Sequence, residues 1–339
     1  MKTKRYFRTR IIALFGVGLT VIIIMWKNVS NSKNQFDVFQ KRETNLTVVG
    51  QTFGIQRFED IACVRFQGRL GNLMMEYVFL YVVAKMKHLY PVVPENSELF
   101  QIFDIEKTTL TAIGKSADSC AKLPVYKERW GLSYDEKLHA VPPYKSVKFD
   151  GYFQSWKYWI KYENEIRNLL RFKNPIKQKA FTQMRDIIDK MKFEINKESV
   201  IVSIHIRRGD YVTEEHYKYG KLTPNETYYA NAMQYFKTRH KNILFVVGSN
   251  DIDWSKKALA KEKNVYYSTG NSPAEDIALL SLANHTIMSV GTFGWWIGWM
   301  AQGTSIYYKN IFRPQSDFAK EFRNNSIDDF IYPGWIPME

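Results

Sequence analysis

The pattern of apolar positions divides the chain into one N-terminal apolar run, a polar stretch and a long region with alternating strand and helix signals. From about residue 60 onward, short runs rich in β-branched residues alternate with longer segments that have apolar residues at helical spacing. The predicted strands are Ile61–Phe66, Ser146–Phe153, Val200–Ile206, Ile243–Val247, Val265–Tyr267, Thr286–Val290 and Ser305–Tyr308. Because helical patterns separate most of these strands, the sequence predicts an α/β fold with parallel sheets.

Helix signals and breaks between them organise the same region. Segments Leu73–Lys87 and Tyr158–Leu170 have helical apolar spacing. Ser272–Glu275 reads Ser-Pro-Ala-Glu, a capping box with proline at the first helical position, and predicts a helix start. Residues 95–145 show no clear pattern, and the Asn-Pro pair at 174–175 predicts a boundary. The arrangement favours two Rossmann-like halves that face a cleft.

The N-terminal apolar run has no charged residue over Ile11–Trp26, and five basic residues precede it. A helix of this length spans about 24 Å, slightly short for a typical bilayer. We interpret residues 11–26 as a transmembrane signal anchor and residues 1–10 as a cytosolic tail, because basic residues mark the cytosolic side. A cleaved signal peptide is the alternative, but no small-residue cleavage site follows Trp26.

The remaining chain divides by composition. Residues 27–57 are polar and have little periodicity, which is typical of a stem. We expect residues 58–172 to form an N-terminal half and residues 173–339 to form a C-terminal half. A stem and two folded halves beyond the anchor would all be lumenal.

The formal net charge of +14 is unevenly distributed. Residues 1–42 contain nine Lys or Arg and one acidic residue, so they account for +8 and leave +6 for the rest. That excess is modest for a folded body of this size, and no basic stripe alternates with base-stacking aromatic residues. The composition therefore argues against nucleic acid as a partner and favours an acidic small molecule.

Cysteines and glycosylation sequons add a weaker signal about the compartment. Cys63 and Cys120 could form one disulfide in the secretory pathway, but Cys63 lies in a predicted strand, so a buried free thiol is an equal alternative. Asn-x-Ser/Thr sequons begin at Asn28, Asn45, Asn225, Asn284 and Asn324, and the first lies too close to the membrane to be a good acceptor.

The most informative segment is Val200–Tyr211, in which a β-branched strand ends in the turn His-Ile-Arg-Arg-Gly-Asp-Tyr. Ligands of open α/β sheets bind at the carboxyl ends of the strands, and guanidinium groups grip phosphates through two parallel hydrogen bonds. We interpret Arg207 and Arg208 as part of a site for a nucleotide diphosphate. Adjacent residues leaving a strand point to opposite faces, so the two arginines are not expected to play the same role.

Two further turns carry residues suited to the same chemistry. The loop Gly68–Asn72 precedes a predicted helix, and Glu76 follows one turn later. The other segment runs from Ser272 to Trp299, with Asp276 in a first helical turn and Thr292 between glycines.

Two patterns in the second half have plainer structural explanations. Trp295, Trp296 and Trp299 could stack on a sugar, but their helical spacing favours core packing. Asp251-Ile-Asp253 matches the Asp-x-Asp motif of metal-dependent glycosyltransferases, but we interpret Asp251 as part of a helix cap. No metal site is expected.

Together these segments resemble the α1,2-fucosyltransferase family. The three blocks that carry the resemblance are Gly68–Tyr77, His205–Tyr211 and Ser272–Leu280 continuing into Asn284–Gly294, and the similarity covers roughly residues 61–310. The second block is shared with α1,6- and protein O-fucosyltransferases, whereas the third is more specific. The resemblance implies a type II Golgi membrane enzyme of GT-B fold that transfers fucose from GDP-fucose to a β-galactoside without a metal or other cofactor.

The resemblance also implies roles for individual residues. Arg207 would hold the pyrophosphate, with His205 and Arg208 shaping the same pocket, and Asp276 would face the guanosine. Thr292 and Phe293 would line the phosphate loop. The remaining donor-binding positions would be Gly68, Arg69, Gly71 and Asn72.

Inversion at the anomeric carbon requires a base for the acceptor proton. Glu76 is the first candidate, Asp210 the second and Glu215 the third. For Glu76, support of the Gly68–Asn72 loop is an equal alternative. Two other functions remain open: a protein O-fucosyltransferase, and a non-catalytic lectin or adhesion protein that uses the Arg208-Gly209-Asp210 and tryptophan clusters.

Overall fold

The structure is a computed structural model that describes residues 60–105 and 117–339. The predicted anchor 11–26, the predicted stem 27–57 and the sequons at 28 and 45 lie outside these residues. Within the two described ranges, none of the helices combines the length and apolar character that a membrane span requires.

The first sheet is parallel throughout and contains four strands in the order β2-β1-β4-β3. Its strands are β1 (Ile61–Val64), β2 (Tyr90–Val92), β3 (Val125–Lys127) and β4 (Val147–Asp150). The helix α1 (Leu70–Lys87) follows β1, and apolar residues along most of its length are buried. The predicted strand at 61 and the predicted helix at 73–87 are thus confirmed, with the helix starting three residues earlier than expected.

The second sheet is also parallel and contains six strands in the order β10-β9-β8-β5-β6-β7. Its strands are β5 (Ser199–Ile206), β6 (Asn242–Ser249), β7 (Val265–Tyr267), β8 (His285–Met288), β9 (Ser305–Tyr308) and β10 (Ile336–Met338). The predicted strands of the second half are all present, so the predicted α/β fold with parallel sheets is confirmed.

The remaining helices lie between these strands. They are α2 (Leu99–Ile102), α3 (Glu163–Leu169), α4 (Asn174–Lys190), α5 (Glu214–Tyr219), α6 (Glu226–Lys237), α7 (Ile252–Ala258), α8 (Pro273–Ser281) and α9 (Thr292–Ala301). The capping box is present at Ser272, with both of its reciprocal hydrogen bonds. Pro175 lies in the first turn of α4, where the missing N–H costs no helical hydrogen bond.

The prediction of a single helix over residues 158–170 is wrong for the first part of that range. Two short 3-10 turns, Trp156–Tyr158 and Ile160–Tyr162, precede α3. Between them Trp159 leaves helical geometry (φ −138°, ψ 0°) and is fully buried. Burial of this large ring in the core outweighs continuation of the helix.

The tryptophans of α9 form the core around that ring, as their spacing predicted. Trp295, Trp296 and Trp299 are buried, and their rings lie 5.8, 5.9 and 5.4 Å from the ring of Trp159. Aromatic pairs at this separation add to the free energy gained by burial. The cluster fixes α9 against the chain that follows β4, and thereby holds the start of α9 in place.

Cys63 and Cys120 form a disulfide, which decides between the two alternatives left open by the sequence. The bond joins β1 to the short 3-10 helix Ala117–Cys120, at a sequence separation of 57 residues. β1 leads directly into the Gly68–Asn72 loop, so the cross-link anchors the strand that carries one of the predicted site segments.

Candidate functional site

Each sheet has a point at which the strand order reverses, and the predicted site segments lie at those two points. In the second sheet the chain runs from β5 outward to β6 and β7, then crosses to β8 on the other side of β5. In the first sheet β4 likewise lies beside β1 on the side opposite β2. Such switch points open a crevice at the carboxyl ends of the strands, where α/β proteins bind ligands.

Arg207 follows β5 at the switch point and is held by groups on both sides of it. Its backbone N–H donates to the hydroxyl of Ser289, just after β8, at 2.8 Å. Its guanidinium Nη2 lies 2.6 and 2.9 Å from the two carboxylate oxygens of Asp210, and the group sits 5.6 Å from the Tyr211 ring. The side chain is mostly buried, so the guanidinium is preorganised and only partly hydrated.

Arg208 points to a different set of partners. Its Nε lies 3.4 Å from an oxygen of Asp251, and its guanidinium stacks 4.0 Å from the ring of Trp254. Its backbone N–H donates to the side-chain oxygen of Asn250 at 2.8 Å. Arg208 therefore braces the turn after β5 against the start of α7, while Arg207 faces the β5–β8 switch point.

Asp251 is a helix cap, as the sequence predicted. Its carboxylate accepts the backbone N–H of Trp254 at 3.2 Å at the start of α7. The other oxygen faces Arg208. Within the described residues, no group of three or more His, Cys, Asp or Glu side chains is arranged to hold a metal ion.

His205 lies beneath the loop that follows β8. Its ring is buried 5.4 Å from the ring of Phe293, and a methyl group added at Gly294 would lie only 2.5 Å from its Nδ1. Burial, together with the charge of Arg207, lowers the pKa of His205 to about 3, so the imidazole is neutral at physiological pH. The histidine shapes the loop from below and adds no positive charge to the site.

The first turns of α1 and α9, which follow the two glycine-containing loops, meet directly. The hydroxyl of Thr292 donates to the side-chain oxygen of Asn72 at 2.7 Å, and Trp296 donates to the carbonyl of Gly71 at 3.0 Å. A methyl group on Gly71 would lie 2.7–2.9 Å from Thr292 and from the backbone N of Phe293, so only glycine permits this approach. The first and third sequence blocks are thus brought together next to the second.

Glu76 is fully buried beneath the first of these loops. One carboxyl oxygen accepts the backbone N–H of Gln67 at 3.0 Å, and the other has no hydrogen-bond partner among the described residues. Burial is the main cause that raises the pKa of Glu76 to about 9, with a further contribution from Glu128. This geometry favours the role of a protonated support for the Gly68–Asn72 loop over contact with substrate.

Replacement of Glu76 by glutamine separates the two roles proposed for it. The ordinary pKa of glutamate is near 4.5, so between that value and about 9 the unfolded chain loses a proton that the folded protein keeps. Wild-type stability should therefore fall as pH rises through this window, and Glu76→Gln should remove that loss. We expect the variant to keep most of its turnover, and to unfold at higher denaturant concentration than wild type at pH 8. A folded but inactive Glu76→Gln protein would identify Glu76 as the base.

Asp276 lies in the first turn of α8, near the end of β7. Its carboxylate accepts from the side-chain amide of Asn271 at 2.9 Å and lies 3.5 Å from the hydroxyl of Ser268. Burial raises its pKa, against the lowering effect of these two donors. β7 is separated from β5, the strand that leads to Arg207, only by β6.

Sequence reasoning missed several residues that complete this arrangement. Ser289 holds Arg207, Asn250 holds Arg208, and Gln154 donates to Asn72 at 3.1 Å. Gln154 follows a predicted strand and Ser289 lies near the end of another, which is a usable signal because the carboxyl ends of strands converge. Asn250 closely approaches Gly209, whose φ of +36° and lack of a Cβ make room for it.

The solved structures that resemble this chain are only distantly similar to it. The chain is 11% identical to a variant of Arabidopsis thaliana FUT1 in complex with GDP, with a TM-score of 0.48 and coverage of 79% of this chain and 74% of that one. Fucosyltransferase NodZ from Bradyrhizobium gives a TM-score of 0.47 at 10% identity, with 70% and 91% coverage.

Sequence comparison is more decisive. The chain is 30% identical over 278 residues to galactoside alpha-(1,2)-fucosyltransferase 2 of Sus scrofa, covering 80% of this chain and 78% of that protein. It is 28% identical over 284 residues to galactoside 2-alpha-L-fucosyltransferase Sec1 of Mus musculus, covering 82% and 74%. The family model described as glycosyl transferase family 11 matches residues 18–338, nearly the whole length. With its three sequence blocks gathered at one crevice, this chain belongs to glycosyl transferase family 11.

Proposed function

We propose that the protein is a galactoside α1,2-fucosyltransferase that transfers L-fucose from GDP-β-L-fucose to the 2-hydroxyl of a terminal β-galactoside. The observation that carries this proposal is the preorganised guanidinium of Arg207 beside the contact between Asn72 and Thr292. A diphosphate at this crevice would meet a fixed fork of donors and the closely approaching backbone of two glycine loops. The family and its galactoside-specific relatives support the same assignment.

The reaction is a single displacement with inversion. The bond from the fucose anomeric carbon to the β-phosphate oxygen breaks, and GDP leaves with the electron pair. The acceptor 2-hydroxyl oxygen forms the new bond, and its proton passes to a base. Arg207 stabilises the charge that develops on the departing diphosphate, so its effect is larger in the transition state than in the ground state.

Of the three carboxylates proposed as the base, Asp210 is better placed than Glu76. Asp210 is about one-third exposed and lies beside Arg207, whereas Glu76 has no exposed surface. Asp210 also orients Arg207. Glu215, the third candidate, lies in the exposed first turn of α5.

The proposed architecture is of the GT-B type, with two Rossmann-like halves around a cleft. We assign residues 58–172 to the acceptor-side half and residues 173–339 to the half that binds GDP-fucose. The first half would supply the Gly68–Asn72 loop, including Arg69, an exposed cation at the start of α1. The second would supply Arg207, Asp276, Thr292 and Phe293.

Donor binding is proposed to depend on arginine without a metal. Excess EDTA should therefore leave most fucosyl transfer intact. Asp251→Asn should also remain active, because asparagine still caps α7, although Arg208 loses a charged partner. The measurement is initial rate with and without chelator for both proteins. Complete loss of activity that Mn²⁺ or Mg²⁺ restores would contradict metal independence.

The competing functions differ in what they bind. A lectin or adhesion protein would bind glycan without GDP, and a protein O-fucosyltransferase would bind GDP but modify serine or threonine. Calorimetric titration with GDP tests the donor site, and we expect binding that Arg207→Ala abolishes. Arg239→Ala changes an exposed residue just after α6 and should leave GDP binding intact. Absence of GDP binding by the wild type would favour the lectin alternative.

We also propose a single-pass type II protein of the Golgi membrane, with residues 11–26 as the anchor and the catalytic region in the lumen. The disulfide supports an oxidising compartment. Of the proposed glycosylation sites Asn45, Asn225, Asn284 and Asn324, both Asn225 and Asn324 are exposed in the structure. The side-chain oxygen of Asn284 instead accepts the N–H of Ile201 at 2.9 Å, inside the second sheet.

The anchor assignment has a direct test. A chain beginning at residue 58, given a cleavable signal, should be secreted in active form, because the stem carries no core pattern. Its secretion and transfer activity can be compared with those of the full-length protein. Aggregation of the shortened chain, with full-length protein active, would assign residues 27–57 to the fold.

A further inference from the structure

A cavity of about 490 Å³ opens beside the proposed donor crevice. It is lined by side chains of the segment 211–223, which continues from the Arg207 turn through α5. Its size is within the range of pockets that hold small molecules. The segment belongs to none of the three sequence blocks apart from Tyr211.

The cavity adjoins the proposed phosphate site through Tyr211. That ring forms part of the cavity wall, and the guanidinium of Arg207 lies 5.6 Å from it. A methyl group built on Gly291 would lie 3.3 Å from the Tyr211 hydroxyl, so the loop before α9 also borders this residue. A molecule in the cavity would therefore lie next to the leaving group of the donor.

One wall of the cavity is formed by exposed apolar side chains. Tyr217 is 59% exposed and Val212 is 46% exposed, although both are large apolar side chains. The guanidinium of Arg313 lies 4.9 Å from the Tyr217 ring and donates to the carbonyls of Tyr217 and Lys218 at 3.1 and 3.2 Å. The ring is thus held in place without being buried, as expected of a surface that packs against a ligand.

Lys221 adds a positively charged group to the lining of the cavity. Its ammonium lies 4.6 Å from the ring of Tyr211, 5.3 Å from Phe318 and 5.8 Å from Tyr219. Burial is the main cause that lowers the pKa of Lys221. Within the described residues its contacts are with rings and no hydrogen bond is formed, so its three N–H groups are available to ligand oxygens. Thr213 and Thr223 add hydroxyls to the lining.

The first half of the chain is linked to the end of α5, beside the cavity. The carboxylate of Glu321 accepts the backbone N–H of Gly131 at 3.0 Å and the hydroxyl of Tyr219 at 2.9 Å. This bridge brings the loop after β3 against the end of α5. A ligand longer than one sugar ring could therefore extend from the cavity toward the acceptor-side half.

We propose that this cavity is the acceptor subsite and binds the terminal β-galactoside. A pyranose has an apolar C–H face suited to the Tyr217 ring and a rim of hydroxyls suited to Lys221 and the threonines. Guanine fits less well, because its ring N–H donors require a carboxylate, and the one carboxylate among the residues that line the cavity, Glu214, is 80% exposed and paired with Lys218. The reaction at this subsite rests on the proposed function, but binding of the sugar can be measured without it.

The test compares Tyr217→Ala with Tyr217→Phe and with Tyr144→Ala as a matched control. Tyr144 is another exposed tyrosine, at 64%, and its N–H donates to Lys87 at the end of α1, away from the carboxyl ends of the first sheet. Saturation-transfer NMR with methyl β-galactoside should detect binding to wild type, Tyr217→Phe and Tyr144→Ala. Binding should be lost in Tyr217→Ala. Absence of binding to the wild type, or equal binding to Tyr217→Ala, would overturn the proposal.

Kinetics provide a second readout. Tyr217→Ala should raise the KM for the galactoside about tenfold, the effect of losing one aromatic contact. Its KM for GDP-fucose and its slow hydrolysis of GDP-fucose without acceptor should match the wild type. A rise in the donor KM instead would assign the cavity to the nucleotide sugar and overturn the proposal. Failure of the wild type to hydrolyse or transfer from GDP-fucose would refute the proposed function, while the NMR result would still decide the subsite.

Discussion

Arg207→Lys is expected to lower turnover by roughly 10²–10³ while the protein stays folded, as removal of one preorganised donor aimed at developing charge does in other enzymes. The guanidinium is held by Asp210 at 2.6 Å and can present two parallel N–H groups to a phosphate. Lysine keeps the charge but lacks this fork, and its ammonium has a different reach. GDP affinity should fall less than turnover, because the lost interaction strengthens in the transition state.

Arg208→Lys provides the matched control, one residue away and with the same change of chemistry. Arg208 stacks on Trp254 and faces Asp251, so the change should weaken only the brace of the turn and reduce turnover a few-fold. The measurements are turnover, KM for GDP-fucose and circular dichroism for both variants. Wild-type turnover in Arg207→Lys with an inactive Arg208→Lys would invert the roles, and full activity in both would contradict the phosphate site at this turn.

Loss of the Cys63–Cys120 disulfide is expected to lower the free energy of unfolding by about 2–4 kcal/mol. The bond closes a long segment of chain, at a separation of 57 residues, and holds the strand that leads into the Gly68–Asn72 loop. A Cys63→Ala/Cys120→Ala protein should therefore unfold at a lower denaturant concentration. Alanine is chosen because Cys63 is buried, where a serine hydroxyl would need a partner.

Reductant distinguishes the bond from the packing of the two side chains. Dithiothreitol should lower the unfolding midpoint of the wild type toward that of the double variant and leave the variant unchanged. At temperatures well below unfolding, the variant should retain transfer activity, because neither sulfur lies among the proposed site residues. Equal wild-type stability with and without reductant would show that the bond contributes nothing.

Local sequence signals predicted the elements that depend on local physics. The capping box at Ser272, the cap at Asp251 and the strand Val265–Tyr267 all appear where the residues indicated. The missed strands β2, β3 and β10 have three residues each and give a weak pattern, although Val265–Tyr267, which is equally short, was recognised. All three are edge strands, and two contain proline, which a strand tolerates at an edge because no N–H is needed there.

The site was predictable in its motifs but not in its contacts. Arg207 and the two glycine loops are recognisable because strand ends, glycines and arginines have known uses. The bonds that join them, such as Thr292 to Asn72 across 220 residues, follow from topology that no local pattern encodes. The burial of Glu76 is of the same kind, since its position in α1 alone does not reveal that the Gly68–Asn72 loop covers it.

The central claim, α1,2-fucosyl transfer, is tested most directly by the linkage of the product. Residues 58–339 would be incubated with GDP-fucose and a set of β-galactosides, and the purified product would be analysed by NMR. The account predicts fucose in α-linkage to the 2-hydroxyl of the terminal galactose, with product from the Arg207→Lys control reduced by roughly 10²–10³ at matched times. Linkage to another hydroxyl, fucose on serine or threonine of a protein acceptor, or no transfer to any galactoside would contradict it.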